Sequence, residues 1–565
     1  MKRWLVAEKT SHDIIEQLLI NRGISAKDRD SFLNPDYNDL YDPFLLKGMN
    51  KAVERILKAI DNNETIGIFS DFDADGIAGG AILGNLFNHL NVKNEVYIPS
   101  RDEGYGLNEA GILDLHEKGC KLIISVDLGI TGKSEVEFAK SLSIDVIITD
   151  HHIIQEEKVP TKAYVIIHPK LSPKYPNKDL AGGGVAWKLA QALATRIKTN
   201  NGELSRIQNF PKWTLDLAAI STICDMVPLV GENRIIAKYG LKVLTKTKNL
   251  GLSSILKEAA IDTSKINTYT IGFQIGPRIN APGRLEHGQI SYFLLTTRNQ
   301  GEATKYAKKL NEVNLQRQDE LARVLAEAKL AIKVKELDKN KIILLFDENW
   351  PDGVLGLVAG RITEELSRPT LVFTRLNDTQ FKGSARSIKS FHILKALDKV
   401  KDLLVKYGGH SGAAGLTIKE KDFTKLSTKL YKIAQDEISD EDLLPPIKID
   451  AEVAPPQVNQ RLLEQIKKFE PFGMGNPRPV FMSKRLAISD LQLVGKNGKH
   501  LKIKLKTKNE KLKIIDGIIF NCAEYIKDLK KSDVCDIVYS IEENEWNGNK
   551  SIQLNIIDIK ISKEV

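Results

Sequence analysis

Cysteine is scarce in this 565-residue chain, with four copies at 120, 224, 522 and 535, and no two of them form a C-x-x-C pair. That scarcity argues against a zinc ribbon and a disulfide framework, so any metal must be held by oxygen and nitrogen. Long hydrophobic runs are missing too. No stretch approaches the roughly 20 apolar residues of a membrane span, and the start, Met-Lys-Arg-Trp-Leu-Val-Ala-Glu-Lys9, lacks the apolar core of a secretion signal. There are no internal repeats or low-complexity tracts, and a soluble cytoplasmic protein without membrane attachment is the expectation. What is present is a globular composition, 42% apolar and 27% charged, long enough for roughly three or four domains with their own cores. The net charge of +9 is modest for the length, so its distribution says more than its total.

Three aspartates crowd together in Ser70-Asp-Phe-Asp-Ala-Asp-Gly76, after the apolar run Ile66-Gly-Ile-Phe69 and before a helical stretch. Unpaired carboxylates at a strand end repel and are costly to desolvate, and a divalent cation compensates them. An EF-hand would need a glutamate at its twelfth position, which here is Ile82, and a helix rather than a strand leading in. A polar turn without metal remains the alternative for this motif alone. Two more strand-like runs end in related residues: Leu122–Val126 runs into Asp127-Leu-Gly129, and Val146–Thr149 into Asp150-His151-His152. Helical segments, Asn108 to Lys118 and Gly132 to Leu142, separate them in the rhythm of a parallel sheet, whose ligands collect beyond the carboxyl ends of the strands. Asp225, inside the apolar helical run Leu217–Leu229, is a fourth acid for that edge; taken alone, an aspartate there is more often a cap or a satisfied core carboxylate.

Farther on, residues 301–335 form one long helical pattern, with Tyr306, Leu310, Val313, Leu321, Val324 and Ala328 as its apolar stripe. At 1.5 Å per residue it spans about 50 Å, enough to bridge two domains. A second α/β unit opens with Lys341–Phe346, and Asp440-Glu-Asp-Leu-Leu-Pro-Pro446 reads as a linker. Beyond it, short alternating strands and the turn signal Asn547-Gly548 suggest a small β-barrel. Within the second unit, Lys382-Gly-Ser-Ala-Arg-Ser387 and Gly408-Gly-His-Ser-Gly412 offer hydroxyls, backbone N–H groups, a guanidinium and an imidazole, a donor set for an oxyanion; singly, each glycine pair reads as a turn. Between Lys496 and Lys513 stand eight lysines against one acid, Glu510. There Leu501-Lys-Ile-Lys-Leu-Lys506 alternates, setting Lys502, Lys504 and Lys506 on one strand face. Such a face tracks a phosphate backbone or protects an edge strand from aggregation, and the spacing suits both.

The segments around Asp73, Asp127, Asp150-His-His152 and Asp225 resemble the four successive motifs of the DHH phosphoesterase superfamily. Gly276-Pro-Arg-Ile-Asn-Ala-Pro-Gly-Arg-Leu285, Gly353-Val-Leu-Gly-Leu-Val-Ala-Gly-Arg361 and Gly408-Gly-His-Ser-Gly-Ala-Ala-Gly415 resemble its RecJ family of bacterial exonucleases, and the likeness runs from about residue 45 to the C-terminus. It implies an α/β fold. A parallel-sheet DHH domain (1–300, with an N-terminal extension to about 45) is joined by a long helix (301–335) to a smaller α/β DHHA1 domain (336–445), and an OB-type β-barrel follows (446–565). It implies degradation of single-stranded DNA from 5′ to 3′ into 5′-mononucleotides, in repair and recombination, by water activated between two metal ions. Mn²⁺ or Mg²⁺ suits aspartate oxygens, and the imidazole tilts the choice towards Mn²⁺. By the resemblance, Asp73 and Asp127 hold one ion and Asp75, Asp127, His151 and Asp225 the other. Asp71 and His152 stand alongside, Asp127 and His152 are the catalytic residues, and Asp150 orients a histidine.

For the substrate, the resemblance assigns Ser384, Arg386, Gly409 and His410, with Arg278 and Asn280, to a phosphate grip facing the metals, and the barrel with Lys502, Lys504 and Lys506 to holding the strand. A helicase and a single-strand-binding protein are the implied partners, and a monomer is the default. One departure is Phe69, where some DHH phosphoesterases carry a histidine. Two other functions fit parts of the pattern: a phosphodiesterase for short oligonucleotides or cyclic dinucleotides, which does not need the barrel, and a non-enzymatic single-strand-binding scaffold, which does not need the carboxylates.

Overall fold

After the N-terminal strand β1 (Arg3–Val6), five short apolar runs form a sheet: β2 (Thr65–Ser70), β3 (Asn94–Tyr97), β4 (Cys120–Val126), β5 (Asp145–Thr149) and β6 (Val165–Ile167). The computed structural model describes residues 2–197, 201–495, 498–507, 515–521, 529–546 and 549–562. The strands are all parallel, in the order β3-β2-β4-β5-β6. Strands covered on both faces need no polar alternation, which explains their continuous Ile, Val and Leu. The chain leaves β2 for β3 on one side and returns to β4 on the other, and a reversal of this kind opens a crevice at the carboxyl edge. Register decides what stands there. Ser70 pairs with Val126 and Val126 with Thr149, so the next residues, Asp71, Asp127 and Asp150, all reach that edge. Phe69 points the other way, into the core, 5.1 Å from the Tyr97 ring.

Contacts gather the chain into two units. The larger comprises Trp4–Ile279, Gly288–Ala307 and Ile447–Val565, and the smaller is mainly Asn280–His287 and Lys308–Pro446. The helix Gln300–Val334 carries the chain from one into the other. In the smaller unit β7 (Ile343–Phe346), β8 (Thr370–Asn377), β9 (Gln380–Arg386), β10 (Leu404–Gly409) and β11 (Ala413–Lys419) form a sheet in the order β10-β11-β9-β8-β7. Val324, Ala328 and Ile332 of the long helix and Val354, Val358 and Ile362 of the helix Asp352–Leu366 cover one face. Leu426, Leu430 and Ala434 of the helix Phe423–Glu437 cover the other.

In the larger unit, β12 (Pro446–Ile449) pairs with β1, and β13 (Ala451–Glu452) leads into β14 (Phe481–Val494), β15 (His500–Thr507), β16 (Ile515–Ile519), β17 (Val534–Trp546) and β18 (Asn549–Ile561). These last five close in the order β14-β15-β16-β18-β17, with β17 returning to β14 and β16 parallel to β18. This is an OB-type barrel. Leu501, Ile503 and Leu505 point into its core as the alternation predicts. The expected turn residues Asn547 and Gly548 lie outside the described residues.

Nothing in the sequence suggested what the N-terminal segment does. Leu18, Leu19 and Phe32 are part of the barrel-side core, beside Leu463, Phe469 and Phe481. Arg234, on the helix Gly231–Leu244 and buried, ties the same region to that helix. Its Nε donates to Phe32 O (2.8 Å), Nη1 to Phe469 O (2.7 Å), and Nη2 to Lys468 O (2.9 Å) and Glu470 O (2.8 Å). Three of these carbonyls follow the helix Gln460–Lys467, whose C-terminal end favours a cation.

Candidate metal centre

Each acid at the sheet edge is fixed by its own local geometry. Asp73 caps the helix Ala74–His89, its Oδ1 accepting from the N–H groups of Asp75 (2.9 Å) and Gly76 (3.1 Å). Asp75 lies in the first turn of that helix, where the N–H groups of Gly182 (2.9 Å) and Gly183 (2.7 Å) and the Ser221 hydroxyl (2.6 Å) all donate to its carboxylate. Those amides open the helix Gly182–Arg196, whose unsatisfied N–H groups and dipole favour an anion. Glycine is required at Gly182, because a Cβ there would stand 2.2 Å from Asp127 Oδ1. Asp225 is not inside a helix, as its apolar surroundings suggest. It is the C-cap of Leu215–Cys224, and Met226, at φ 58°, ends the run.

Asp127 takes φ 62°, a left-handed conformation that costs a residue with a Cβ about 1–2 kcal/mol. The strain is held by its N–H on Thr149 O (3.0 Å) and by the Tyr105 hydroxyl on its own carbonyl (3.1 Å). Asp150 accepts from the N–H groups of Ile130 (2.8 Å), His151 (2.7 Å) and His152 (3.1 Å) and pairs with His152 Nδ1 at 2.7 Å. Burial opposes its charge, but the His152 contact and these amides outweigh it and hold the carboxyl at about 2. For His152 desolvation likewise works against the charge, and Asp150 wins, raising the imidazole to about 9. Behind it, the Lys170 N–H donates to His168 Nδ1, which puts the His168 proton on Nε2, where it holds His152 O at 2.9 Å.

The remaining atoms converge. His151 Nε2 lies 3.2 Å from Asp127 Oδ1, 3.7 Å from Asp225 Oδ2 and 3.9 Å from Asp75 Oδ2. Both His151 Nε2 and Asp127 Oδ1 are buried without a hydrogen-bond partner. Three overlapping groups bring one donor atom per residue within 4.8 Å: Asp75, His151 and Asp225; Asp71, Asp73 and Asp127; and Asp127, His151 and His152. Asp127 belongs to two of them. Orphaned acceptors aimed at a common point, with oxygen predominating and one imidazole, fit a hard divalent cation such as Mn²⁺ or Mg²⁺.

Without a cation the acids repel, by about 4 kcal/mol for two unit charges 4 Å apart at an effective dielectric near 20. Burial first, and Asp73 next, pushes Asp71 up; burial with Asp75 and Asp73 does the same to Asp127, and raises Asp225 to about 8. Burial pulls His151 down, leaving the neutral imidazole that a metal requires. Mn²⁺ binding is therefore expected to release protons below pH 8, with affinity rising as pH climbs through 8 and levelling above it. Titration calorimetry in buffers of differing ionisation enthalpy measures this, and buffer-independent heats at pH 6.5 would contradict it.

The larger unit thus brings together Asp71, Asp73, Asp75, Asp127, His151, His152 and Asp225. Arg278 lies in the same unit, its Nη1 donating to Gln274 O at 2.7 Å, whereas Asn280 belongs to the smaller. There, Ser384 and Arg386 share a face of β9 over the helix Asp352–Leu366, where a Cβ on Gly356 would stand 3.0 Å from Ser384 Oγ and 3.6 Å from Arg386 Nη2. Arg386 is half-buried with no carboxylate partner among the described residues. His410 is exposed at the β10–β11 turn, where Gly409 has φ 148° and a Cβ would stand 2.2 Å from Ala413 O. On β15, Lys504 pairs with Asp490 on one side and Asp516 on the other, while Lys502 faces Gln492 and Ile518, and Lys506 faces Ala487. The basic face is less uniform than its spacing suggests.

Sequence reasoning missed Tyr105, His168, Gly182, Gly183 and Ser221. Only the three successive glycines at 182–184, heading an apolar helical run, carried a signal. Ser221→Ala is expected to weaken Mn²⁺ binding by about 10- to 100-fold, because it frees Asp75 to turn. Calorimetry checks this, and unchanged affinity would mean that the two amides suffice.

Comparison with known proteins is consistent along the chain. Residues 65–222 match the DHH family, N-terminal domain, 338–436 the DHHA1 domain, and 449–558 the RecJ OB domain. The single-stranded-DNA-specific exonuclease RecJ of Bacillus subtilis is 36% identical over 554 residues, covering 97% of this chain and 68% of that one. That of Haemophilus influenzae is 33% identical over 565 residues, covering 96% of both. The crystal structure of RecJ from Thermus thermophilus in complex with Mn²⁺ aligns with a TM-score of 0.83 at 26% identity, over 100% of this chain and 80% of that one. The same protein in complex with Mg²⁺ aligns at 0.76, with 25% identity, over 100% and 79%.

Proposed function

This chain belongs to the RecJ family of single-stranded-DNA-specific exonucleases, and on that premise we propose that its carboxylate and histidine cluster removes 5′-mononucleotides from the 5′ end of a single strand. The observation that carries the reading is the pair of buried, partnerless atoms, Asp127 Oδ1 and His151 Nε2, at the centre of the acids. Asp73 and Asp127 are assigned to one ion and Asp75, Asp127, His151 and Asp225 to a second, with Asp71 alongside. Two such ions, Mn²⁺ or Mg²⁺, supply when bound an activated water and neutralise the charge that builds on the phosphoryl oxygens.

The chain's own groups do the rest. Gly182, Gly183 and Ser221 fix the Asp75 carboxylate, and Asp127 is held in its strained turn so that its side chain serves both ligand groups. Asp150 keeps His152 protonated at neutral pH, and His152 is assigned the proton delivered to the departing 3′-oxygen. In the smaller unit, the uncompensated Arg386 with Ser384, Gly409 and His410 supports an anion grip for the 5′-phosphate. Arg278 and Asn280 are further candidates for the strand, as are Lys502 and Lys506, with Lys504 a weaker one between its two acids. Among the described residues no helix is long and apolar enough to cross a membrane. An enzyme of this kind works where DNA is, which supports a cytoplasmic placement, and it depends on a helicase and a single-strand-binding protein to expose its substrate.

The test is digestion of a 3′-labelled, 5′-phosphorylated oligonucleotide, single-stranded and as a blunt duplex, with Mn²⁺. Progressive shortening of the single strand alone is expected. Arg386→Ala should raise KM by about 10- to 100-fold, the loss of a charge-assisted hydrogen bond. An intact oligonucleotide beside a hydrolysed dinucleotide would identify a small-substrate phosphodiesterase instead, and binding without cleavage a scaffold.

A further inference from the structure

Asp225 is followed at once by a surface that the metal centre does not use. Met226 takes the left-handed conformation and is 63% exposed, and a turn packed against the end of the Asp225 helix bears two aromatic rings that the core leaves outside, Tyr269 at 60% and Phe273 at 63%. The rings stack on each other, centroids 4.8 Å apart and planes 20° from parallel. Phe273 lies in a π-helical turn, Thr270–Ile275, a wide geometry that recurs at functional sites, and Tyr269 immediately precedes it. The turn packs against the last turn of the Asp225 helix: Gly276, just after it, leaves no room for a Cβ, which would stand 2.5 Å from Cys224 Sγ, and Gly272 faces Ile223 Cγ2 at ordinary contact distance. With its backbone pressed inward, the turn presents Tyr269 and Phe273 outward.

The surface continues beyond the turn. Thr268 Oγ1 donates to Phe472 O at 2.8 Å, and the Leu229 N–H donates to Met474 O at 2.7 Å. These bonds join the start of the turn and the segment after Asp225 to the stretch that leads into the barrel strands, where Met474 is exposed and the Arg478 guanidinium lies 4.9 Å from the Phe472 ring centre. Exposed rings, methionines and an arginine thus follow one another from a metal ligand to the entrance of the barrel, all within the larger unit.

We propose that Tyr269 and Phe273, with Met226, form a stacking platform for the bases of the single strand that lie beyond the scissile bond. The proposal rests on the exonuclease reading and adds the residues that hold the strand. Stacking suits an enzyme that must accept any sequence, since every base offers a π-face and none is read by its edge. Nucleic acid is favoured over a protein partner because the turn that bears the rings packs against the helix ending in Asp225, and Met226 follows Asp225 directly, so an occupant of this surface stands near the chemistry.

The experiment compares wild-type protein with the Tyr269→Ala/Phe273→Ala double variant on oligonucleotides of increasing length, and on a matched substrate made abasic beyond the first nucleotides. For the variant, KM on the long oligonucleotide is expected to rise about 10- to 100-fold, with most of the loss in KM rather than kcat. The abasic substrate should cost the wild type as much and the variant little more. Tyr269→Phe, which keeps the ring, should retain the wild-type KM. Equal KM values for the double variant and wild type, or additive losses from variant and abasic substrate, would overturn the platform while leaving the exonuclease intact. If the wild type shortens no oligonucleotide, the exonuclease reading fails and takes this proposal with it.

Discussion

Asp127→Asn is expected to lower the exonuclease kcat by about 10³-fold or more and to stabilise the metal-free protein. Asparagine has nearly the same shape and tolerates the left-handed backbone at φ 62°, so the turn survives the exchange. What disappears is one negative charge that belongs to two of the three ligand groups. In the metal-free fold that charge is a liability, because burial and its acidic neighbours raise the Asp127 carboxyl well above its unfolded value. A carboxyl raised in this way favours the folded state while protonated and loses that contribution as pH rises through its folded value. The gain from Asn, about 1–3 kcal/mol, should therefore be larger at pH 8.5 than at pH 5.5. Thermal denaturation with and without Mn²⁺ measures both sides: a higher Tm for the metal-free variant, and a smaller rise on adding Mn²⁺. A variant that melts earlier than wild type without metal would make Asp127 a structural residue.

Arg234→Met is expected to cost about 3–5 kcal/mol of stability, since removing one partner of a buried charged contact strands the others. Methionine fills much the same volume, but Phe32 O, Lys468 O, Phe469 O and Glu470 O would all lose their donor. Arg234→Lys should recover only part of the loss, because an ammonium has three donors and no planar fork. Urea unfolding followed by tryptophan fluorescence reads the change, and a loss below about 1 kcal/mol would show that water replaces the guanidinium at little cost.

The candidate metal centre is legible in the sequence where strand, turn and carboxylate are contiguous: Asp71 to Asp75, Asp127, and the two histidines that follow Asp150. The parallel sheet and the barrel are legible for the same reason, since period and spacing are local. What escapes is what acts at a distance. Ser221 looks like one more small residue in an apolar helix, and Gly182–Gly184 like a poor start for one, yet both reach Asp75 across more than 100 residues of chain. Asp225 is legible as a cap, but nothing in the sequence marks Met226 as the residue that ends the helix. Lys504 reads as free because the acids flanking it, Asp490 and Asp516, are set there by strand register. Arg234 has no carboxylate hydrogen-bonded to it among the described residues for a sequence to reveal, since backbone oxygens satisfy it.

The meeting of Leu18, Leu19 and Phe32 with the barrel has a consequence for how the molecule is made. The ribosome delivers this segment more than 400 residues before Phe469. At about 5–20 residues per second, the interval is roughly 20 to 90 seconds. Throughout it, three large apolar side chains have no final place to go, while the sheet that carries the aspartates can already close. A nascent chain of this protein is therefore exposed to aggregation and to chaperones at this early segment rather than at its growing end, and any message cut short before the barrel yields a product with that patch uncovered.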